Sequence, residues 1–229
     1  MNGDSASVRN RQLDCCGGLS NVDYSKIDAS AMADVLRYVD PLDARFCVAV
    51  VAILFNPFFW NVVARWEHRT RGLTRLFGGP YLACYSLGFL IILLNVYRSH
   101  SITVAMRARG RWEVLDSAGA FYAGAGLMAS GSALVLSSFL ALGFTGTFLG
   151  DYFGILMDQK VTGFPFSLMD NPMYWGSTAN YLGLALMNAS PVGIVLSAVV
   201  GVSYQVAIKY EGPFTEQIYR QSKGCSKRE

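Results

Sequence analysis

Four long stretches of the chain carry no charged residue, and short polar segments separate them. A helix needs roughly 20 apolar residues to cross the hydrocarbon core of a bilayer, and each stretch reaches or approaches that length. The pattern therefore predicts an all-α fold, a polytopic membrane bundle of helices built from four apolar blocks. The blocks cover residues 46–64, 76–97, 117–150 and 171–208.

The fourth block is too long for a single membrane helix. Its 38 residues would form a straight helix of about 57 Å, whereas the hydrocarbon core is about 30 Å thick. The letters "NASP" at 188–191 place turn-forming residues near its middle. We expect a helical hairpin, with one helix over about 173–187 and a second over about 191–209. The pair Gly212-Pro213 is expected to end the second helix.

Such a hairpin returns the chain to the membrane face that it left. It would bring "NPMYWG" (171–176) and "KYEGPF" (209–214) to the same face at similar depth. In the first of these strings, the proline disfavours a helical conformation of the preceding Asn, so the chain enters the helix from a non-helical segment. The two aromatic residues suit a membrane interface. Its glycine allows another backbone or a ligand to come close.

The first block contains Asn56-Pro57, and this proline predicts a kink or a break in the helix. The block either crosses the membrane or enters it and returns. The 19 Lys and Arg residues divide 15 to 4 between the faces for a hairpin with a returning first block, and 14 to 5 for four single crossings. Charge does not separate these two arrangements. A hairpin with a fully crossing first block divides the charges 10 to 9 and is disfavoured.

The third block is rich in small residues, with "AGAFYAGAGLMASGSALVLSS" at 118–138. Small residues let helix backbones approach closely, so helix packing is the plain interpretation. The alternative is that bare backbone at Gly124, Gly126 or Gly131 contacts a ligand. The helix is expected to end near "GFTGTFLG" (143–150), because its glycines and threonines weaken a continued span.

Composition narrows the class of protein further. Charged residues make up 15% of the chain, against about 25% in soluble domains. Basic residues flank the apolar blocks, as they do beside lipid headgroups, so membrane lipid is an expected partner and nucleic acid is not. The two histidines and five cysteines lack ligand spacing, so no metal site is expected. We predict a polar, disordered tail at 1–37, a membrane domain at 38–221 and a basic tail at 222–229.

Acidic and aromatic residues concentrate around the start and the end of the predicted hairpin. The acids are Asp151, Asp170 and Glu211. Aromatic faces attract quaternary and sulfonium cations by ~0.5–2 kcal/mol, so the combination suits a cationic, amphipathic ligand. The alternative is an interfacial aromatic belt, which anchors any membrane protein. Glu211 is expected at a helix C-terminus, where the helix dipole disfavours a carboxylate, so Lys209, a ligand cation or solvent must compensate.

Five strings of the sequence closely resemble one enzyme family. They are "YVDPLD", "FNPFFWNVVARWEHRTR", "PYLACYSL", "LALGFTGTFLGDYFGIL" and "DNPMYWGSTANYLG". They are similar to the vertebrate phosphatidylethanolamine N-methyltransferases, and the similarity covers roughly residues 38–221. A more distant resemblance links the chain to isoprenylcysteine carboxyl methyltransferases, in which His usually precedes the proline at which this chain has Asn171.

The resemblance implies three successive methyl transfers from S-adenosyl-L-methionine to the amine of phosphatidylethanolamine, giving phosphatidylcholine. The family's cofactor elements are a Gly-x-Gly and a Glu-Glu pair. The first falls on Ala129, Ser130 and Gly131, and the second on Glu211 and Gly212. Only Gly131 and Glu211 keep the expected residue, so a mechanism that needs two carboxylates after the last block is weakened.

The resemblance also suggests roles for individual residues. Glu211 is hypothesised to bind the cofactor's ammonium or ribose hydroxyls, and Asp151 to lie near the substrate amine; both are candidate catalytic groups. Asn171, Tyr174 and Gly176 are expected to form walls of the cofactor pocket together with the Gly-x-Gly element. The expected partners are phosphatidylethanolamine and its mono- and dimethylated forms, in the endoplasmic reticulum membrane and in mitochondria-associated membranes. Homo-oligomerisation is left open.

Two other functions remain as alternatives. A non-enzymatic scaffold or lipid-binding protein would explain the apolar blocks and small residues, but not the acids and rings around the hairpin. A carboxyl methyltransferase acting on prenylated cysteine would favour His at the position of Asn171.

Overall fold

The computed structural model describes residues 38–158 and 161–226, with side chains through residue 222. These residues form helices and no strands: α1 (Ala44–Thr70), α2 (Gly72–Phe77), α3 (Pro80–Arg107), α4 (Ala118–Thr147), a 3-10 helix (Gly150–Phe153), α5 (Pro172–Met187) and α6 (Pro191–Ser226). Four of the helices, α1, α3, α4 and α6, are long and apolar enough to cross a membrane. The predicted all-α membrane fold is confirmed, and the chain is a multi-pass membrane protein.

The predicted domain bounds remain a prediction. The tail at 1–37, residues 159–160 and residues 227–229 lie outside the described residues. Helix α6 runs to Ser226, so the described part of the segment predicted as a basic tail is helical.

Three long helices, α1, α3 and α6, form the core of the bundle, and α5 and α4 form successive outer layers. The core is closely packed because the facing side chains are apolar and mostly small or branched. Buried examples are Ala49 and Ile53 of α1, Leu87 of α3, and Leu196 and Val200 of α6. Such packing suits a membrane protein, in which helices associate through close contact rather than through exclusion of water.

Helix α1 is unbroken, so Pro57 does not break it, and of the two arrangements left open for the first block the returning one is excluded. A proline leaves the carbonyl four residues earlier without its helical donor. Here that carbonyl belongs to Ile53, and the Ser203 hydroxyl of α6 donates to it at 3.5 Å. Asn56, the residue before the proline, donates from Nδ2 to Asn95 Oδ1 of α3 at 3.2 Å. Neighbouring helices therefore satisfy the polar groups around the proline, as membrane helices require.

The hairpin predicted from "NASP" is confirmed, since α5 ends at Met187 and α6 begins at Pro191. The Ser190 hydroxyl accepts a hydrogen bond from the Gly193 N–H at 3.1 Å and so caps the start of α6. The predicted stop at Gly212-Pro213 is wrong, because α6 continues through both residues.

A contact from another helix accompanies the continuation of α6 past Pro213. Nη2 of Arg65 in α1 donates to the Tyr210 carbonyl at 2.6 Å, beside the proline. Polar groups near a proline in a membrane helix are often satisfied by a neighbouring helix in this way. Glu211 therefore lies inside a helix rather than at its C-terminus, and the predicted conflict with the helix dipole does not arise.

Helices α4 and α5 pack through two pairs of glycines. A Cβ on Gly131 would lie 2.5 Å from the Gly176 carbonyl oxygen, and a Cβ on Gly124 would lie 2.6 Å from the Gly183 carbonyl oxygen. The packing interpretation of the small-residue block therefore holds for Gly124 and Gly131, whereas a Cβ on Gly126 would meet open space. The helix kinks at 143 with a φ of 65° and ends at 147, within the segment predicted to end it.

Different contacts are found at the two ends of the bundle. At the Arg109 end, the Trp112 N–H donates to the Ala189 carbonyl at 2.8 Å, which joins the α3–α4 loop to the hairpin turn. At the Glu211 end, Tyr174 at the start of α5 meets Glu211 of α6. The Arg109 end comprises residues 38–43, 108–117 and 188–190, and the Glu211 end comprises residues 65–79, 148–158, 161–174 and 209–215.

The structure thus combines a hairpin with a first helix that runs the length of the bundle. Charge counting disfavoured this arrangement, and that expectation is wrong. The count treats every arginine as a loop residue beside lipid headgroups. Arg98, however, is 4% exposed inside the bundle, and Arg109 is paired with Asp40 and Asp43.

Candidate functional site

The hairpin brings Tyr174 and Glu211 into direct contact. Asn171 adopts a left-handed conformation with a φ of 56°, and Pro172 then begins α5, so Tyr174 lies in its first turn. The Tyr174 hydroxyl donates a hydrogen bond to Glu211 Oε2. The prediction that "NPMYWG" and "KYEGPF" lie at similar depth is therefore confirmed.

The 3-10 helix after α4 adds the second predicted acid. It packs against α1 and α6 and so brings Asp151 to the same end of the bundle as Arg65 and Glu211. The neighbouring Tyr152 is fully buried, and its ring stacks on Phe214 at a centroid distance of 5.2 Å. Two carboxylates, one cation and two stacked rings thus share one small region.

Helix α1 supplies two residues that sequence reasoning did not select. The Arg65 guanidinium lies 4.6 Å from the centre of the Phe214 ring, and His68 approaches the same ring edge-on at 5.4 Å. Arg65 and His68 are three residues apart, so they share a face of the helix. The three-residue spacing could have indicated that both side chains point into one site. The basic composition of this segment instead favoured contact with lipid headgroups. We call Arg65, His68, Asp151, Tyr152, Tyr174, Glu211 and Phe214 the acid–aromatic cluster.

The acid–aromatic cluster has unused hydrogen-bonding capacity. Three of its buried side-chain atoms, Arg65 Nε, His68 Nδ1 and the Tyr152 hydroxyl, have no hydrogen-bond partner among the described residues. Buried polar atoms are usually paired, because leaving one unpaired costs about 1–3 kcal/mol. A region with several such atoms beside two carboxylates can bind a polar, charged ligand.

Other predicted site residues lie at the α4–α5 contact or on exposed surfaces. Gly131 and Gly176 face each other between the two helices, so their missing side chains make room for backbone. Asn171 is exposed and its side chain does not cap α5. The remaining three, Ala129, Ser130 and Gly212, are exposed.

The Ser130 hydroxyl donates to the Leu127 carbonyl of its own helix at 3.1 Å. A Cβ on Gly212 would meet nothing within 4 Å. The cofactor-binding role of the exposed residues remains a prediction. Among residues 38–158 and 161–226, no three His, Cys, Asp or Glu side chains gather in a group that could hold a metal ion.

The chain is similar to known proteins over most of its length. A family model described as phospholipid methyltransferase matches residues 120–222. The phosphatidylethanolamine N-methyltransferase of Homo sapiens is 60% identical over 86% of this chain and 100% of its own length. Phosphatidyl-N-methylethanolamine N-methyltransferases of Emericella nidulans and Saccharomyces cerevisiae are 50% and 44% identical, over 82% and 81% of this chain and 92% and 90% of their own lengths. No solved structure matches the chain.

Identity at this level over nearly the whole described chain goes far beyond a shared composition of apolar helices. The relatives are all named as methyltransferases of amine-bearing phospholipids. The resemblance read from the sequence strings is confirmed, and the chain belongs to the phospholipid methyltransferase family of membrane enzymes.

Proposed function

We propose that the protein transfers methyl groups from S-adenosyl-L-methionine to the amine of phosphatidylethanolamine, in three steps that end in phosphatidylcholine. The observation that carries the proposal is the hydrogen bond between Tyr174 and Glu211 at one end of a membrane bundle, the end that also contains Asp151. The name of the human relative, at 60% identity, favours phosphatidylethanolamine itself as the first acceptor. The mono- and dimethylated lipids are then the second and third acceptors.

The acid–aromatic cluster fits the methyl donor group by group. S-adenosyl-L-methionine supplies an activated methyl on a sulfonium cation. The Phe214 and Tyr152 rings suit a sulfonium, because aromatic faces attract such cations without hydrogen bonds. Glu211 suits an ammonium or ribose hydroxyls, and the unpaired Arg65 Nε and Tyr152 hydroxyl suit a carboxylate.

The acids of the cluster have a second task, which is proton removal. An ammonium has no lone pair, so the amine must be neutral before it can attack. A carboxylate or water must therefore take a proton before each of the three methyl transfers, because the unmethylated, monomethylated and dimethylated amines all enter as ammonium ions. Asp151 is our candidate near the amine, and the Tyr174 hydroxyl fixes the orientation of the Glu211 carboxylate. Helices that surround the site also exclude water and align the reactants.

The glycines at the α4–α5 contact serve this scheme indirectly. Gly131 and Gly176 let α5 lie close to α4, and α5 carries Tyr174. We propose that they position the wall of the cofactor site. The proposed contacts of Ala129, Ser130, Asn171 and Gly212 with the cofactor rest on the family resemblance.

One assay separates the proposed function from its alternatives. Membranes that contain the protein are incubated with methyl-labelled S-adenosyl-L-methionine, and lipids and proteins are then separated. Label in mono-, di- and trimethylated phosphatidylethanolamine supports the proposal, with membranes lacking the protein as control. Label in protein alone would indicate the carboxyl methyltransferase, and no label in either fraction would indicate a scaffold.

The methyl donor is cytosolic, so we propose that the Glu211 end faces the cytosol in the endoplasmic reticulum membrane. The Arg109 end then faces the lumen. Glycosylation acceptor sites inserted into the 108–117 loop should be glycosylated, and sites inserted at about 161–168 should not. The opposite pattern would contradict this orientation.

A further inference from the structure

Arg98 is a buried cation in the interior of the bundle. It lies in α3 with 4% of its surface exposed, and its guanidinium carbon is 5.3 Å from the Tyr204 ring centre and 5.4 Å from that of Tyr181. Nε and Nη1 of Arg98 have no hydrogen-bond acceptor among the described residues. Ionisable residues at such depth are expensive and usually functional. The acid–aromatic cluster does not include Arg98, so its charge needs a separate explanation.

A line of two tyrosines connects Arg98 with the proposed catalytic carboxylate. The Tyr204 ring lies edge-on to the Tyr174 ring at 4.8 Å, and the Tyr174 hydroxyl donates to Glu211. The guanidinium is therefore at most about 10 Å from the Tyr174 ring, the sum of two measured distances. A cation with free donors and a carboxylate thus stand at opposite ends of one short, aromatic-lined path.

The path lies beside a weakly packed boundary between two helices. Helices α3 and α5 scarcely touch through their backbones, although both pack on α6. Side chains bridge them instead: Arg98 faces the Tyr181 ring, and the Ser99 hydroxyl shares a hydrogen bond of 2.8 Å with the Tyr181 hydroxyl. Ser99 is exposed and Tyr181 is half-buried, so this bridge lies at the lipid-facing side of Arg98.

We propose that Arg98 binds the phosphodiester of the lipid substrate and thereby directs the amine toward Tyr174 and Glu211. A phosphoethanolamine headgroup has an anion at one end and an amine at the other, joined by two carbons. The positive charge of Arg98 attracts the anion, and its planar guanidinium can donate to two phosphate oxygens at once. The headgroup would enter between α3 and α5, with its phosphate deeper in the bundle than its amine. This inference rests on the proposed function.

The test compares two lipids that differ only in the phosphate. One is phosphatidylethanolamine, and the other is a diacyl lipid that carries an aminoethyl ether in place of phosphoethanolamine. Their kcat/KM values are measured in mixed micelles for the wild-type protein, Arg98→Gln and Arg98→Lys. Arg109→Gln is the matched control, because Arg109 pairs with Asp40 and Asp43 at the other end of the bundle.

We expect the wild-type protein to prefer the phosphate lipid and Arg98→Gln to lose at least about tenfold of that preference, the value of one charge-assisted hydrogen bond. Arg98→Lys should lose less of that preference, because lysine keeps the positive charge but lacks the planar pair of donors of a guanidinium. The KM for S-adenosyl-L-methionine should stay unchanged, as should the preference of Arg109→Gln.

An unchanged preference in Arg98→Gln would overturn the inference. If that variant does not fold, Arg98→Lys decides: a selective rise in the KM for phosphatidylethanolamine supports the inference, and an equal effect on both lipids overturns it. A wild-type protein that methylates neither lipid would instead overturn the proposed function.

Discussion

The two ends of the helix bundle treat their charged side chains in opposite ways. At the Arg109 end, acids and bases pair with one another. Arg109 Nη2 lies 3.0 Å from Asp40 Oδ2 and 3.3 Å from Asp43 Oδ2, and Arg111 pairs with Asp116 at 2.7 Å. These pairs are partly exposed, so each contributes little to stability.

At the Glu211 end, the charges face rings, a hydroxyl and backbone instead of opposite charges. The Glu211 carboxylate accepts from Tyr174, and the Arg65 guanidinium faces Phe214 and a backbone carbonyl. Several buried polar atoms there are unpaired among the described residues. The comparison shows that the charges at the Arg109 end are already paired with one another, whereas incompletely paired charges at the Glu211 end remain available to ligands.

The largest effect is expected from Glu211→Gln. Glutamine keeps the shape and can still accept from Tyr174, but it removes the charge and the proton acceptor. Turnover should fall by at least about 100-fold, in the range of general acid–base effects. Methyl transfer to phosphatidylethanolamine is the measurement, with the midpoint of thermal unfolding as the check on folding. A variant with wild-type turnover would remove Glu211 from the mechanism.

The next prediction concerns the stability of the protein, because the glycines between α4 and α5 act on helix packing. In Gly131→Ala the added Cβ would lie 2.5 Å from the Gly176 carbonyl oxygen, so we expect destabilisation of ~1–3 kcal/mol. The matched control is Gly126→Ala on the same helix, where the Cβ meets open space, and it should be as stable as the wild type or slightly more so. Thermal unfolding in detergent measures both. Equal stability of the two variants would contradict the packing role of Gly131.

A smaller effect is expected from Tyr174→Phe. The variant keeps the ring against Tyr204 but removes the hydroxyl that orients Glu211. A hydrogen bond to a charged group contributes about 1.5–3 kcal/mol, so kcat should fall roughly tenfold or more. Tyr38→Phe at the Arg109 end is the control, since the Tyr38 ring pairs with the Trp112 ring at a centroid distance of 6.4 Å, far from Glu211. Equal kcat values for the two variants would show that the contact is not functional.

The smallest effect is expected at the Arg109 end, from Asp43→Asn. The Arg45 N–H donates to the Asp43 carboxylate at 2.8 Å and lowers the pKa of that carboxyl below its usual 3.8. A lowered pKa contributes stability above the unfolded-state value, and that stability is lost as the pH falls through the folded-state value. The wild type should therefore unfold at a higher temperature than Asp43→Asn at pH 6, and the difference should shrink as the pH falls below 3.8. A difference that stays the same as the pH is lowered would contradict this.

The sequence predicted what local chemistry determines. Turn residues at 188–191 were enough to place the hairpin, because Ser190 caps the next helix with its own hydroxyl. The meeting of Tyr174 and Glu211 followed from that hairpin. Features that depend on contacts with another helix could not be predicted from the local sequence.

The two prolines inside long helices, of which Pro57 was expected to kink or break its helix and Pro213 to end its helix, show this limit. The carbonyl freed by Pro57 accepts from Ser203, and the Tyr210 carbonyl, one turn before Pro213, accepts from Arg65. Each donor is far away in sequence and reaches the proline only in the folded bundle. The roles of Arg65 and His68 were missed for the same reason, since a basic linker by itself resembles a lipid-headgroup contact.

The measurement that tests the central claim most directly is the affinity for the methyl donor when one charge is removed at either end of the bundle. Titration calorimetry of S-adenosyl-L-methionine with the purified protein would compare the wild type, Glu211→Gln and Arg109→Gln. We predict that Glu211→Gln raises the Kd at least about tenfold, as expected for a lost charge-assisted contact, and that Arg109→Gln leaves it unchanged. Equal Kd values for all three proteins would contradict the claim that the Glu211 end binds the methyl donor.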